Sequence, residues 1–305
     1  MNKPNLNSCD TPAALHTGCG LCALRSRRLF TGLLAAAGAG ALATSAFAQE
    51  GVQGEVGRTS RFTKLVSAEQ VEAAAAQQYQ SMLREASQQR LLAGPEHPQV
   101  LRLRSIAQRI VPHARSWNER APQWKWEVNL LGSKELNAFC MPGGKIAFYF
   151  GILQKLQLSD DEVATIMGHE VAHALREHAR ERMGKTAATR VGAGVLSALF
   201  GLGGLGDAAL NMGGQLLTLK FSREDESEAD IVGMDLAARA GYDPGAGVTL
   251  WQKMMNAAKG APPQFLSTHP AGNTRIKDIQ AKLPKVQPLY RQAGKPERKF
   301  SPPAA

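Results

Sequence analysis

The chain has 305 residues, of which 44% are hydrophobic and 20% charged, and its formal net charge is +10. This composition excludes a chain too polar to bury a core, and the length allows one large domain or two small ones. The positive excess is compatible with peripheral contact to an anionic membrane surface or with an ordinary basic surface. Because the sequence contains no basic patch interleaved with aromatic residues, we expect no nucleic-acid partner.

The N-terminal segment has the pattern of a targeting signal. Residues 25–49 read R-S-R-R-L-F-T-G-L-L-A-A-A-G-A-G-A-L-A-T-S-A-F-A-Q, a basic stretch followed by an uncharged run and a small-residue site. This order predicts a signal peptide over residues 1–48 that is cleaved after Ala48. Arg27 and Arg28 resemble a twin-arginine export signal, and a general secretory signal is the alternative. We therefore expect an exported protein located in the periplasm, free or in contact with the membrane.

The predicted mature chain keeps one cysteine. Of the four cysteines, only Cys140 follows the predicted cleavage site. A single cysteine cannot form an internal disulfide, so stability has to come from the core. We interpret Cys140 as a semi-buried thiol rather than a nucleophile.

The elements that follow predict a mixed fold. Residues 49–62 are Gly-rich and polar, typical of a flexible lead-in, and residues 286–305 are rich in Pro, Lys and Arg, typical of a loose tail. Capping residues, apolar periodicity and Gly/Pro breaks predict helices over 67–92 and 98–116, strands over 124–130, 137–141 and 145–150, and helices over 159–183, 223–240, 244–259 and 273–282. The predicted fold class is α+β, mostly helical with a sheet of about three strands, in one domain over residues 63–285.

One further segment is apolar but contains many glycines. Residues 191–206 read V-G-A-G-V-L-S-A-L-F-G-L-G-G-L-G, which is short for a membrane span. The segment predicts either a packed or mobile hairpin or a patch that contacts membrane or substrate.

Residues 167–174 read M-G-H-E-V-A-H-A, inside the helix predicted over 159–183. Positions four apart lie one helical turn above each other, so His169 and His173 can aim two imidazole nitrogens at one ion. Glu170 lies about 100° round the helix from His169 and can reach a water molecule on that ion. This geometry is the basis of the H-E-x-x-H zinc motif. The alternative is a helix with two partly exposed histidines.

A catalytic zinc site needs a third protein ligand and an open position. Arg176 and Ala179 stand where the extended metzincin motif needs Gly and His, so that branch is excluded. His178 lies nearly opposite His169 on a helical wheel, and we interpret it as solvated.

The helix after Ser222 offers a better candidate for the third ligand. Glu226 can bind zinc, and Asp230, four residues on, can accept a hydrogen bond from the other nitrogen of a ligand histidine. Gly233 on the same face would allow this helix to approach the histidine helix closely. The alternative is a solvated acidic face, which we expect for Glu224, Asp225 and Glu228.

Together these residues resemble a known family. H-E-V-A-H followed by S-R-E-D-E-S-E-A-D-I-V-G is similar to the HtpX-type zinc endopeptidases, the group that includes the CaaX prenyl endopeptidases and periplasmic quality-control proteases. The segments N-A-F-x-x-P-G-G from Asn137, A-G-Y-D-P from Ala240 and S-T-H-P-x-x-x-x-R from Ser267 also resemble that family. The resemblance covers about residues 65–285.

The resemblance implies a zincin-like metalloprotease domain with one Zn²⁺ per chain. It also implies that Glu226, not Glu228, is the third ligand and that Asp230 is its partner. The integral members of the family carry several membrane spans, and none is predicted here after the signal. Prenylated substrates are therefore not expected, and a soluble or peripheral periplasmic branch fits better.

These observations predict a zinc-dependent endopeptidase with Glu170 as the general base. Its expected substrates are unfolded or extended segments of misfolded or unassembled cell-envelope proteins, bound along the strand around 137–139, in periplasmic protein quality control. Arg275 is expected to bind the oxyanion or to form a surface salt bridge. His269 is expected to approach the zinc and gate access, or to cap a helix. The alternatives are a non-catalytic, zinc-containing, chaperone-like protein that binds clients, and a zinc hydrolase acting on something other than peptides.

Overall fold

The structure is a computed structural model of the chain, and it describes residues 51–191, 216, 219–258, 263–269 and 273–304. Within these ranges the helices are α1 (Ala68–Gln88), α2 (Pro98–Ile110), α3 (Phe150–Leu156), α4 (Asp160–Leu175), α5 (His178–Val191), α6 (Arg223–Arg239), α7 (Ala246–Ala257), α8 (Gln264–Thr268) and α9 (Asn273–Gln292). The strands are β1 (Glu127–Leu131), β2 (Ala138–Met141) and β3 (Lys145–Tyr149). The predicted fold class, α+β and mostly helical with a small sheet, is confirmed.

Two predicted segments fall outside the described residues: the signal peptide, and the 191–206 segment apart from Val191. Within the ranges that the structure does describe, no helix is both long enough and apolar enough to cross a membrane.

The sheet has β3 at its centre. β1 runs parallel to β3, and β2 runs antiparallel to it. β2 and β3 are joined through Gly143 and Gly144, whose φ angles of +82° and +76° lie in the region that glycine adopts without steric cost. Among the described residues β2 has a strand neighbour on one side only, which makes it an edge strand of the described sheet.

α4 is the most deeply buried helix of the described part. It begins with a capping box, in which the Ser159 hydroxyl accepts from the Glu162 N–H and the Glu162 carboxylate accepts from the Ser159 N–H. Every residue from Glu162 to Leu175 is buried, because α4 packs against β2, α2, α6 and α7. Close packing on all sides holds the side chains of α4 in fixed rotamers.

α4 and α6 contact each other through two glycines. A Cβ atom placed on Gly233 would lie 2.7 Å from the His169 backbone nitrogen, and one on Gly168 would lie 2.6 Å from the Gly233 carbonyl oxygen. Real Cβ atoms do not approach backbone atoms this closely, so both positions need glycine. The structure thus shows the close helix approach that was predicted for Gly233.

The helix predicted over 159–183 is in fact two helices. α4 ends at Leu175, and Glu177 has a φ of +57° before α5 begins at His178. A left-handed residue ends a helix because it redirects the chain away from the helical hydrogen-bond pattern. The residues that usually signal such a turn are Gly and Asn, and neither occurs here.

Part of the lead-in predicted over 49–62 contacts the domain, although Val52 is the one fully buried residue among its described positions 51–62. Val52 is fully buried, and its N–H donates to Asp235 Oδ2 at 3.4 Å. Glu55 forms an ion pair with Lys282 of α9. The apolar side chain of Val52 therefore anchors a segment whose polar composition suggested flexibility.

The predicted loose tail over 286–305 also differs from the structure. α9 continues to Gln292 despite its two internal prolines, and its residues Val286 and Leu289 are buried. Beyond α9, the Phe300 N–H donates to Asp160 Oδ2 at 2.8 Å, which ties the C-terminal segment to the start of α4. The domain limits themselves, 63–285, stay a prediction.

Candidate metal centre

Two histidines lie one above the other on the buried helix α4. His169 and His173 are each 3% exposed, and their Nε2 atoms are 3.1 Å apart. Two ring nitrogens at this separation share either a proton or a cation. Burial lowers the pKa of His173 well below its usual range, which keeps the ring neutral and its lone pair available.

A carboxylate from the first turn of α6 meets both rings. A capping box between Ser222 and Asp225 fixes this turn. Asp225 was predicted to be solvated, but it is buried. Glu226 Oε2 lies 3.5 Å from His169 Nε2, and Glu226 Oε1 lies 3.4 Å from His173 Nε2. Burial by itself raises the pKa of Glu226, but hydrogen bonds to the neighbouring imidazoles outweigh it and the pKa is lowered. The carboxylate is therefore ionised.

His269 supplies a fourth donor. Its Nδ1 lies 2.9 Å from Glu226 Oε1 and 3.3 Å from His169 Nε2. The donor atoms of His169, His173, Glu226 and His269 all lie within 4.8 Å of one another. Atoms at the corners of a tetrahedron, each about 2.1 Å from a central zinc ion, are about 3.4 Å apart. The donor types and their spacing therefore fit zinc.

Arg275 and Asp230 contact the side chains of the candidate ligands His169 and Glu226. Asp230 Oδ1 lies 3.0 Å from His169 Nδ1, the contact expected of this carboxylate. Arg275 donates to both carboxylate oxygens of Asp230 and, at 2.7 Å, to Glu226 Oε2, and its guanidinium lies 3.8 Å above the Trp251 ring. Arg275 is 7% exposed and pairs with buried carboxylates, so it does not form a surface salt bridge, and its expected role in binding the oxyanion stays a prediction. This geometry fits a residue that orients the metal ligands.

Glu170 has the surroundings of a proton acceptor. It is 2% exposed, and its Oε1 has no hydrogen-bond partner among the described residues. The closest imidazole nitrogen is Nε2 of His269, at 3.6 Å from that oxygen. Burial raises the pKa of Glu170 to about 7, so the carboxyl group can accept and return a proton near neutral pH. A buried oxygen without a partner is costly, and such atoms often mark a catalytic group.

A cleft leads to Glu170. Its volume is about 350 Å³, and its lining includes the edge strand β2 with Tyr149, Glu170, His173, Phe221 and His269. Phe221 stacks on the His173 ring, with centroids 4.0 Å apart and planes at 28°. The sequence pattern does not single out Phe221, and its one signal is its place directly before the Ser222 cap. The cleft brings β2 next to the candidate metal ligands His173 and His269.

His178 corrects the sequence analysis. It was expected to be solvated, yet it is 2% exposed and its Nδ1 lies 2.9 Å from His173 Nδ1. A helical wheel places His178 correctly only in an unbroken helix, whereas the left-handed turn at Glu177 brings His178 back towards α4. Glu228, also expected to be solvated, is partly buried and pairs with Arg176.

Several known proteins are similar to this chain. Mitochondrial metalloendopeptidase OMA1 of Saccharomyces cerevisiae is 31% identical over 227 residues, covering 70% of this chain and 64% of that protein. OMA1 of Arabidopsis thaliana is 39% identical over 152 residues, covering 50% and 30%. The beta-barrel assembly-enhancing protease of Escherichia coli strain K12 is 28% identical over 201 residues, covering 63% and 40%. The chain thus spans less than two thirds of the length of each of these relatives.

These relatives correct the predicted location. The periplasmic assignment is wrong, because the relatives that are 31–39% identical are mitochondrial proteins by name. A basic leader poor in acidic residues occurs both in bacterial export signals and in mitochondrial presequences. The composition of residues 1–48 therefore could not separate the two destinations.

The family assignment comes from a match over more than half of the chain. The family model described as Peptidase family M48 matches residues 99–283. The matched range contains the two histidines of α4, Glu226 of α6 and the His269 and Arg275 side chains that meet them. On this match, the chain belongs to peptidase family M48.

Proposed function

We propose that the chain is a zinc-dependent endopeptidase that hydrolyses peptide bonds in extended segments of polypeptides. The observation that carries this proposal concerns Oε1 of Glu170, which has no hydrogen-bond partner among the described residues. Glu170 is buried beside two imidazoles and a carboxylate at ligand spacing, and it lines a cleft. A donor set of two histidines and one glutamate is typical of catalytic zinc. The family membership and the names of the relatives, metalloendopeptidase and protease, support the same activity.

In this proposal His169, His173 and Glu226 hold one zinc ion per chain. When bound, zinc polarises a carbonyl oxygen and lowers the pKa of water towards neutrality. Glu170 Oε1 accepts the proton of the attacking water and then donates it to the nitrogen of the leaving amine. Asp230 accepts the Nδ1 proton of His169, which leaves Nε2 of that ring free to bind the ion.

The edge strand β2 is the proposed binding site for the substrate chain. Ala138 to Met141 line the cleft next to Glu170, and among the described residues β2 pairs with a strand on the β3 side only, so we propose that the substrate chain adds along its other side. Only an extended segment can pair in this way, so unfolded or unassembled proteins are better substrates than folded ones. We therefore propose a role in protein quality control, and within the family we favour the HtpX-type branch on the N-A-F-x-x-P-G-G and S-T-H-P segments.

Casein degradation tests the activity. The zinc-loaded chain should degrade casein, a chelator should stop the reaction, and added zinc should restore it. Glu170→Gln should bind zinc like the parent protein but cleave casein at least 100-fold more slowly, because it cannot take up a proton. Undiminished cleavage by this variant, or cleavage that persists in chelator, would contradict the proposal.

One observation favours a second candidate function. His269 Nδ1 occupies the fourth corner of the donor set, the position that a catalytic site leaves open for water. If this contact is permanent, the chain is a zinc-containing, non-catalytic protein that binds clients. If it is a gate, His269 withdraws when substrate enters.

His269→Ala separates the two readings. A gate predicts retained zinc and faster cleavage of casein. A permanent structural ligand predicts weaker zinc binding and no cleavage by either protein.

We further propose that residues 1–48 are a cleaved targeting segment and that residues 63–285 form the peptidase domain. N-terminal sequencing of the protein from its native source tests the first part, and it should begin at Gln49. A mature N-terminus before residue 25 would contradict a cleaved segment of this length.

A further inference from the structure

His178 is a buried histidine that the proposed mechanism does not use. It lies directly after the left-handed turn at Glu177, and only 2% of it is exposed. Its Nδ1 is 2.9 Å from Nδ1 of His173, and the two rings are nearly perpendicular, at 75°. The contact is therefore made by the nitrogen of His173 that faces away from Glu226 and the other ligands.

Two ring nitrogens that face each other in this way share one proton, so one donates and the other accepts. When His173 binds a metal ion through Nε2, its Nδ1 must carry the proton, because a neutral imidazole has one lone pair to give. His178 Nδ1 must then be the acceptor, which places the proton of His178 on Nε2. The geometry thus assigns a tautomer to both rings.

The outer nitrogen of His178 faces a carboxylate. Its Nε2 lies 3.8 Å from Glu228 Oε2 and makes no hydrogen bond to the described residues. The guanidinium of Arg176 donates to the other oxygen of Glu228 and to the carbonyl of Gly57, which holds this carboxylate in place. An Nε2–H on His178 therefore lies 3.8 Å from a fixed negative charge, which favours a proton on this nitrogen.

We propose that His178, backed by Glu228, is a positioning residue that fixes the tautomer and orientation of the metal ligand His173. The proposal rests on the metal site of the proposed function. Hydrogen bonds to the second nitrogen of a ligand histidine typically change metal affinity about 10- to 100-fold. His169 has its partner in Asp230, and His178 is the corresponding partner of His173.

Three variants of the full chain separate hydrogen bonding from packing. His178→Phe fills the space but offers no acceptor, whereas His178→Asn places an amide oxygen close to the position of Nδ1. His113→Phe makes the same change at a partly buried histidine outside the site. Zinc affinity is measured by competition with a chromogenic chelator, and thermal unfolding of the metal-free proteins reports folding.

We expect His178→Phe to weaken zinc binding about 10- to 100-fold, His178→Asn to stay within a few-fold of the parent, and His113→Phe to change nothing. Unchanged zinc affinity in His178→Phe would overturn the proposal, as would equal weakening in the Phe and Asn variants with both folded. Should the variants fail to fold, ¹⁵N NMR of the zinc-loaded parent decides. A proton on Nε2 of His178 supports the proposal, and a proton on Nδ1 overturns it. A parent that binds no zinc instead rejects the proposed function itself.

Discussion

Gly233→Ala tests whether the contact between α4 and α6 sets the metal-site geometry. The added Cβ would lie 2.7 Å from the His169 backbone nitrogen and 2.9 Å from its Cα. The shorter contact is about 0.7 Å inside the separation at which ordinary contact begins, so the two helices must move apart. Overpacking of this kind costs about 1–3 kcal/mol of unfolding free energy. Because a metal site tolerates distance changes of about 0.2 Å, the shift should also weaken zinc binding by more than tenfold.

Gly247→Ala is the matched control. Gly247 is a helical glycine in α7, and its added Cβ would meet side-chain atoms at 3.5 Å and 3.6 Å, an ordinary contact. This variant should gain up to about 1 kcal/mol, because alanine favours the helix over glycine. Urea denaturation of the metal-free proteins measures stability, and chelator competition measures zinc affinity. Parental zinc affinity in a folded Gly233→Ala protein would refute the link between helix separation and ligand geometry.

Three other predictions concern single side chains. The fold favours the protonated form of Glu170, whose pKa is raised from 4.5 to about 7, so in the metal-free parent the free energy of unfolding falls as pH rises through this range. Glu170→Gln has no carboxyl group to ionise, so its free energy of unfolding should exceed that of the parent by about 3 kcal/mol at pH 8 but not at pH 4. Denaturation curves measured at both pH values test this. The same pH dependence in parent and variant would contradict burial as the cause of the raised pKa. Arg275→Ala should destabilise the metal-free chain by about 3–5 kcal/mol, because Asp230 and Glu226 lose their buried partner. Arg275→Lys should recover only part of the lost stability. A parental free energy of unfolding for Arg275→Ala in urea would contradict this prediction. Burial raises the pKa of the Cys140 thiol well above its usual range, so maleimide should label Cys140 slowly at pH 7 in the folded chain and rapidly in urea. Mass spectrometry of the peptide that contains Cys140 measures the labelling. Rapid labelling without urea would contradict burial of the thiol.

The parts of the fold that the sequence predicted depend on local signals. α4 and α6 each begin with a serine followed three residues later by an acidic residue, and both capping boxes are present. The three strands lie within three residues of their predicted limits, because alternating residues and the Pro-Gly-Gly turn mark them. Helical spacing predicted His169 and His173 and made Glu226 a candidate, and the family resemblance chose Glu226 over Glu228. The structure brings these three side chains within hydrogen-bond or ion-pair distance.

The parts that could not be predicted depend on contacts between distant residues. The turn at Glu177 carries no Gly or Asn, so a helical wheel continued through it and misplaced His178. The terminal segments were read from polar and Pro-rich composition, yet the burial of Val52 and Val286 against helices far along the chain holds them. Burial of a side chain by remote elements leaves no periodic signal in the segment itself.

The turn at Glu177 also limits how many residues can separate His173 from His178. One left-handed residue joins α4 to α5, so the position of the His178 ring depends on the four residues that separate it from His173. An added or deleted residue would rotate that ring by about 100° or move the break, whereas exchanges of side chains at the turn leave its path unchanged. Related chains with this arrangement should therefore vary in residue type at the turn but never in its number of residues. Glycine or asparagine should be frequent at the Glu177 position, since either adopts the left-handed conformation at about 1 kcal/mol less cost.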